Sequence, residues 1–251
     1  MKVLSIDWDY FQKVSVDTMR RCYPDGLDAT TFLSEITWGS HYATDGEEIN
    51  GVTVMQDELE NLFKTLLSQD RDIPVMIANS HVHIYDFIHS NLPENDTVLL
   101  TNIDMHHDLM NENEMLDCGN WIGKLFEDKL LEKQEDSSPF KWVRNPESFE
   151  MYLGDREGND DLGTILKALG STETVADIKD DKYDLIFLAR SDTWSPPHLD
   201  NYFCLLTDLM KEHFEDITVR DGVDNPRKAY LQYAVTMREA TEKFRNQMEM
   251  A

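Results

Sequence analysis

Cysteine is scarce and scattered. The three residues, Cys22, Cys118 and Cys204, form no CxxC pair, so neither a disulfide framework nor a thiolate zinc site is expected. No apolar run approaches the ~20 residues that a membrane-spanning helix needs. The stretch from Met1 to Phe11 carries Asp7 and Asp9 where a secretory leader would be apolar, so the cytoplasm is the expected compartment. Positive charge is the largest deficit: 23 Lys and Arg stand against 49 Asp and Glu, a net charge of −26. Such a chain repels phosphate backbones and anionic bilayers, so neither nucleic acid nor membrane is an expected partner. The acid excess has two readings, solubility or attraction of cationic substrates and metals. Repeats and low-complexity tracts are also missing. What remains is an ordinary apolar fraction of 41% in 251 residues, enough for one large domain spanning 1–251.

Four short apolar runs organise that domain, and each ends in polar residues. Val3–Ile6 leads into Asp7-Trp8-Asp9, and Ile73–Ala78 into Asn79-Ser80-His81. Thr97–Ile103 leads into Asp104-Met105-His106-His107-Asp108, and Tyr183–Ala189 into Arg190-Ser191-Asp192-Thr193-Trp194. Continuous apolar runs of this length read as buried parallel strands. Helical spacing lies between them: Leu59, Leu62, Phe63, Leu66 and Leu67 within Gln56–Ser68, then Trp121–Leu131 and Leu199–Phe214, with a helix from Arg227 to Met250. The alternation predicts an α/β fold, a parallel sheet covered by helices on both faces. Residues 132–138 and 154–163 read as surface loops, and residues 12–54 as an insertion or a lid. Ligands of such sheets sit beyond the carboxyl ends of the strands, where all four polar clusters would converge.

The chemistry of those clusters is that of a divalent metal site. Asp104-x-His106-x-Asp108 gathers two carboxylates and an imidazole on one rim, a donor set suited to hard or borderline divalent ions. Asp7 and Asp9 are alternate residues of a terminating strand, so their charges repel unless a cation compensates them. His81 follows a third strand. Each motif alone is also what an acidic surface loop would show. Together they supply four carboxylates and two imidazoles, and four negative charges balance two divalent cations.

This combination resembles the arginase (ureohydrolase) and deacetylase superfamily, whose two-manganese members place a histidine after one strand, D-x-H-x-D after another and D-x-D after a third. The stretches Ile6–Phe11, Ser80–Ile88, Ile103–Leu109, Gly119–Ile122 and Trp194–Pro197 are similar to a divergent arginase-like branch. That branch includes peptide arginases, which convert arginine side chains of ribosomally made peptides into ornithine. The resemblance implies a three-layer α/β/α sandwich with a mainly parallel sheet and two Mn2+ ions. It implies one metal on His81, Asp104, Asp108 and Asp7, and the other on Asp104, His106, Asp7 and Asp9. It also implies an arginine-containing peptide as partner and urea as product. Two departures stand out. Here D-x-D comes first in the chain, a permuted order that a parallel sheet accepts because the site needs strand ends in space. Where other arginases carry a proton-shuttling histidine after the Gly-Asn element, this chain has Trp121.

Within that reading Asp108 carries a proton toward the leaving amine. Asp192 is the candidate carboxylate for orienting the guanidinium, with a turn-capping role as its alternative. Asn120 is the candidate for helping to orient the substrate. His83, His89 and His107 are assigned to the periphery of the site or the surface, and His41 to the lid. Competing readings are a free-arginine or agmatine ureohydrolase, a single-zinc deacetylase of the same fold, an amidohydrolase-type barrel built on His81-Val82-His83, and a binding protein without activity.

Overall fold

The structure, a computed structural model, describes residues 1–24, 30–109, 115–131, 138–147, 170–172, 174–220 and 222–249. In chain order its strands are β1 (Lys2–Asp7), β2 (Gln12–Lys13), β3 (Thr53–Val54), β4 (Val75–Ala78), β5 (Leu99–Asp104), β6 (Phe140–Arg144), β7 (Gly170–Thr172), β8 (Leu185–Ala189) and β9 (Ile217–Val219). Its helices are α1 (Val16–Cys22), α2 (Thr31–Asn50), α3 (Gln56–Leu67), α4 (His83–Asn91), α5 (Trp121–Glu127), α6 (Asp200–His213) and α7 (Ala229–Glu249). Seven strands form one sheet in the order β7-β6-β5-β1-β8-β4-β9, and every pairing in it is parallel. The short β2 and β3 pair antiparallel outside it.

Side-chain alternation along the strands divides the core into two halves. Leu4 and Ile6 of β1 join Ile186 and Leu188 of β8 in a cluster with Leu59, Leu62 and Leu66 of α3 and Phe203, Leu206 and Met210 of α6. Val3 of β1 and Leu185, Phe187 and Ala189 of β8 point the other way, toward Ile84, Phe87 and Ile88 of α4 and Trp121, Ile122 and Leu125 of α5. Helices thus cover both faces of a parallel sheet, an α/β arrangement compatible with three layers. The four apolar runs form β1, β4, β5 and β8, the central strands, because only strands buried on both faces are apolar throughout.

β6, β7 and β9 are not among the strands expected from the sequence. Among the described residues the sheet ends on β7 and β9 rather than closing on itself, so they form no barrel of the kind the amidohydrolase reading needs. His83 supports that correction: its Nδ1 lies 3.0 Å from Arg220 Nη1, away from the acidic cluster. Residues 12–54 hold β2, α1, α2 and β3. α2 packs on α7 so tightly that a Cβ on Gly39 would sit 2.4 Å from Tyr233 Cβ. The expected loops lie mostly outside the described residues, 154–163 wholly and 132–138 except for Ser138. No helix among the described residues is long and apolar enough to cross a membrane.

Candidate metal centre

The carboxyl ends of β1, β4, β5 and β8 meet at one point. On β1, Ser5 and Asp7 share a face, as do Asn102 and Asp104 on β5, because side chains repeat every second residue. His81 enters from the turn after β4. Its Nδ1 lies 3.1 Å from Asp7 Oδ2, 3.1 Å from Asp104 Oδ2 and 3.2 Å from Asp108 Oδ2. None of those approaches has hydrogen-bond geometry, so a fully buried nitrogen faces three carboxylate oxygens with no partner. On the other side of Asp104, His106 Nδ1 lies 2.8 Å from Asp9 Oδ2 and 3.7 Å from Asp104 Oδ1. Asp9 Oδ2 is likewise buried and, beyond this ion-pair contact, makes no hydrogen bond.

These atoms form two groups that could each hold a metal ion, Asp7 with His81 and Asp104, and Asp9 with Asp104 and His106. Asp104 belongs to both. Asp108 stands outside both groups, although its Oδ2 lies 3.2 Å from His81 Nδ1. Buried donors without hydrogen-bond partners are costly unless something fills the space between them, and a divalent cation in each group would satisfy the His81 nitrogen in one and the Asp9 oxygen in the other. The residues therefore fit a metal, and its identity is open to any divalent ion that accepts oxygen and imidazole donors.

Neighbouring residues fix the orientation of the donors. Ser5 Oγ and His81 Nε2 share a hydrogen bond of 2.6 Å. With the ring proton on Nε2, the Nδ1 lone pair is aimed into the cluster. Asn102 Nδ2 donates to Asp104 Oδ2 at 3.1 Å, and the His106 backbone N–H donates to Asp104 Oδ1 at 2.6 Å. The Met105 N–H donates to Asp9 Oδ1 at 3.2 Å. Trp121 Nε1 donates to Asp108 Oδ2 at 2.5 Å, and the Ser191 hydroxyl donates to Asp7 Oδ2. Ser5, Asn102, Trp121 and Ser191 are not among the site residues expected from the sequence. For Ser5 and Asn102 a signal exists, since each precedes a ligand by two residues on the same strand face.

Asp108 and Ser191 both hold φ near +50°, a left-handed backbone that costs non-glycine residues about 1 kcal/mol or more. Both lie at the cluster, so the local strain is kept where donors must be aimed.

The electrostatics agree with the geometry. Burial and the Asp7 charge hold the Asp9 carboxyl well above its usual range. Burial and the Asp104 charge push Asp108 up to about 7. Asp104 goes the other way: despite burial, His106 and His81 hold it below the usual range. Burial opposes protonation of His81, but Asp104, Asp108 and Asp7 outweigh it and hold the ring well above its ordinary value. In the metal-free protein the folded state therefore keeps protons on Asp9, Asp108 and His81 that the unfolded chain has released. A raised folded value means stability present at low pH and lost as pH rises. For Asp108 that loss runs from the unfolded value near 4 up to about 7. Metal-free protein is expected to lose on the order of a few kcal/mol across this window, and the stabilisation gained on adding divalent metal should widen in parallel. Thermal unfolding between pH 5.5 and 8, with and without metal, measures both; a metal increment that shrinks with rising pH would contradict the arrangement.

Two expectations are corrected. Asp192 does not face the cluster as a free carboxylate. It is fully buried, and Arg190 grips it with Nε at 2.5 Å from Oδ1 and Nη2 at 3.1 Å from Oδ2. Arg227 and Arg190 hold it below the usual carboxylate range in spite of its burial. An internal guanidinium occupies the fork meant for a substrate guanidinium. Asn120 is also committed: its Oδ1 accepts from Asp117 N at 2.8 Å and its Nδ2 donates to Met115 O at 2.7 Å, which shapes the turn into α5. His107 is buried, its Nδ1 accepting from Leu109 N at 3.0 Å. His89 sits near Asp128 at the surface, and His41 packs against Trp38.

The donors are enclosed except on one side. His106 is 21% exposed, whereas Asp7, Asp9, His81, Asp104 and Asp108 are 5% or less. Beside His106 lies a cavity of about 130 Å³ lined by Met19, Arg20, Tyr23, Pro24, Met105, His106 and Trp194. Comparison of the chain with protein-family models, with curated proteins and with solved structures finds no match.

Proposed function

We propose that this chain is a binuclear manganese hydrolase with an arginase-like fold, converting arginine side chains of a peptide to ornithine with release of urea. The observation that carries the proposal is the pair of Asp/His groups sharing Asp104, with four buried carboxylates in one enclosed cluster. Two divalent ions bound there would balance that charge and bring the pKa of a water down to about 7. A zinc deacetylase would need only one group and would leave Asp9 and His106 without a role.

The chain's own residues account for the remaining steps. Ser5 keeps the His81 ring aimed, and Asn102 and the His106 amide keep both Asp104 oxygens in place. Hydrolysis forms a bond between the guanidinium carbon and the oxygen of water and breaks the bond from that carbon to the side-chain nitrogen. The leaving nitrogen needs a proton. Asp108, a buried carboxyl beside the cluster, is placed to pass one, and the Trp121 N–H donates to its Oδ2. The products are urea and the amine of ornithine. The net charge of −26 favours approach of a cationic peptide.

The test is direct. Manganese-loaded protein is incubated with arginine-containing peptides, free arginine, agmatine and acetyl-lysine peptides. Urea together with a mass loss of about 42 Da per arginine, the change from arginine to ornithine, is the expected result. Urea from free arginine or agmatine but not from any peptide would move the substrate to the small-molecule branch. Acetate from acetyl-lysine without urea would overturn the hydrolysis of guanidino groups.

A further inference from the structure

With Asp192 taken up by Arg190, the cavity beside His106 is a candidate for holding the substrate end. At about 130 Å³ it holds roughly four waters' worth of volume, well below the ~300 Å³ at which sites for whole small molecules begin. It therefore takes the end of a chain and leaves the rest of the molecule outside. Its walls are largely apolar or aromatic: Met19, Tyr23, Pro24, Met105 and Trp194. Such walls suit unbranched methylenes. The inner end is His106, beyond which lie Asp9 and Asp104, and this acid-rich end draws a positive tip inward.

Trp194 is the wall residue best built for recognition. Its indole lies 5.1 Å from the His106 ring at an interplanar angle of 57°, beside the one accessible donor. The backbone around it is fixed on both sides. Trp194 N donates to Ser191 O at 2.8 Å, and Gln12 Nε2 donates to Trp194 O at 2.9 Å. The same Gln12 accepts from Tyr23 OH at 2.5 Å, so one glutamine ties the two aromatic walls together. Arg227 adds a bond to Ser195 O at 2.7 Å. With its backbone fixed in this way, the Trp194 indole can offer a π-face, the best aromatic surface for a cation, and a planar guanidinium can stack on it where an ammonium cannot.

We infer that Trp194 is a specificity-determining residue, its indole reading a planar cation at the tip of an unbranched side chain in the slot beside His106. The inference rests on the hydrolase reading for the reaction, and on the slot alone for binding.

Binding separates the two readings. Titration calorimetry on manganese-loaded protein uses acetyl-Gly-Arg-Gly-amide and the same peptide with citrulline, which keeps the shape and removes the charge. Citrulline is expected to bind at least tenfold more weakly. Trp194→Leu should weaken the arginine peptide about tenfold and Trp194→Phe only two- to threefold, with metal content unchanged in both. In turnover the Leu variant should raise KM with little change in kcat. If Trp194→Leu loses metal instead, Trp194 acts through His106 and the inference fails. It fails also if the Leu variant binds the arginine peptide as the parent does, or if citrulline binds equally. Should the peptide release no urea while both binding differences persist, the hydrolase reading falls and the slot stands. Urea released with affinity and KM indifferent to Trp194→Leu would do the reverse, overturning the slot while the hydrolase stands.

Discussion

Asp104→Asn is expected to remove both metals, not one. Asp104 Oδ2 lies 3.1 Å from His81 Nδ1 and its Oδ1 lies 3.7 Å from His106 Nδ1, so its carboxylate is common to both donor groups. An amide keeps the shape but loses the negative charge and one oxygen donor. Asp9→Asn supplies the contrast, because Asp9 stands in only one group and should cost one metal. On the proposed two-metal reading, metal content after dialysis should be about two ions for the parent, one for Asp9→Asn and none for Asp104→Asn. Metal also stabilises any protein that binds it only when folded, by about 4 kcal/mol at a thousandfold excess over Kd. The thermal shift on adding manganese should therefore vanish in Asp104→Asn. The proposed guanidino hydrolysis should fall by about a thousandfold or more, since charge stabilisation at the reacting centre is usually the largest single contribution. Retention of two metals in Asp104→Asn would show the shared carboxylate to be misassigned.

Arg227→Met should be the most damaging substitution away from the metal centre. Arg227 is buried and donates to Asp200 from its backbone N and Nε, to Asp200 Oδ1 from Nη2 at 2.7 Å, and to Asp192 O from Nη1 at 2.5 Å. Arg190 neutralises Asp192 beside it and also lies 3.7 Å from Asp200. Two buried cations thus face two buried anions. Removing one partner of a buried pair costs about 3–5 kcal/mol, because the other charge is left desolvated and alone. For a chain of this length each kcal/mol lowers Tm by roughly 2–4 °C, so a fall of about ten degrees is expected. Arg227→Met combined with Asp200→Leu should recover part of it, since removing both charges of such a pair is often close to neutral. The folded Arg227→Met protein should also hold metal less tightly, because Arg227 anchors the turn that carries Ser191 to Asp7. A Tm within two degrees of the parent would show that this network carries no stability.

The sequence displays much of this site because its signals are local. A strand buried on both faces is apolar from end to end, so β1, β4, β5 and β8 stand out, and the ligands are the first polar residues past them. β6 is hidden because Lys141 and Arg144 interrupt its apolar pattern, and β9 because three residues, Ile217-Thr218-Val219, are too short to show a period. Asp192 misleads for a different reason. A carboxylate at a strand end looks the same whether it faces a ligand or an internal arginine, and its second neutralising partner, Arg227, lies 35 residues further on. Trp121 and Trp194 are legible only as bulk. That one indole donates to Asp108 and another walls the entrance depends on turns whose geometry no residue pattern encodes.

The position of β1 bears on how the protein acquires its shape. β1 is the first strand in the chain and sits in the middle of the sheet. Its neighbours arrive late: Lys2 pairs with Leu99, and Val3 pairs with Leu185. During synthesis both edges of this apolar strand stay open until β5 and then β8 emerge. Non-local parallel pairing of this kind slows folding, and unpaired edges invite association with other chains. The Asp7–Asp9 motif is thus completed only once β5 and β8 are in place, and refolding yield should fall as protein concentration rises.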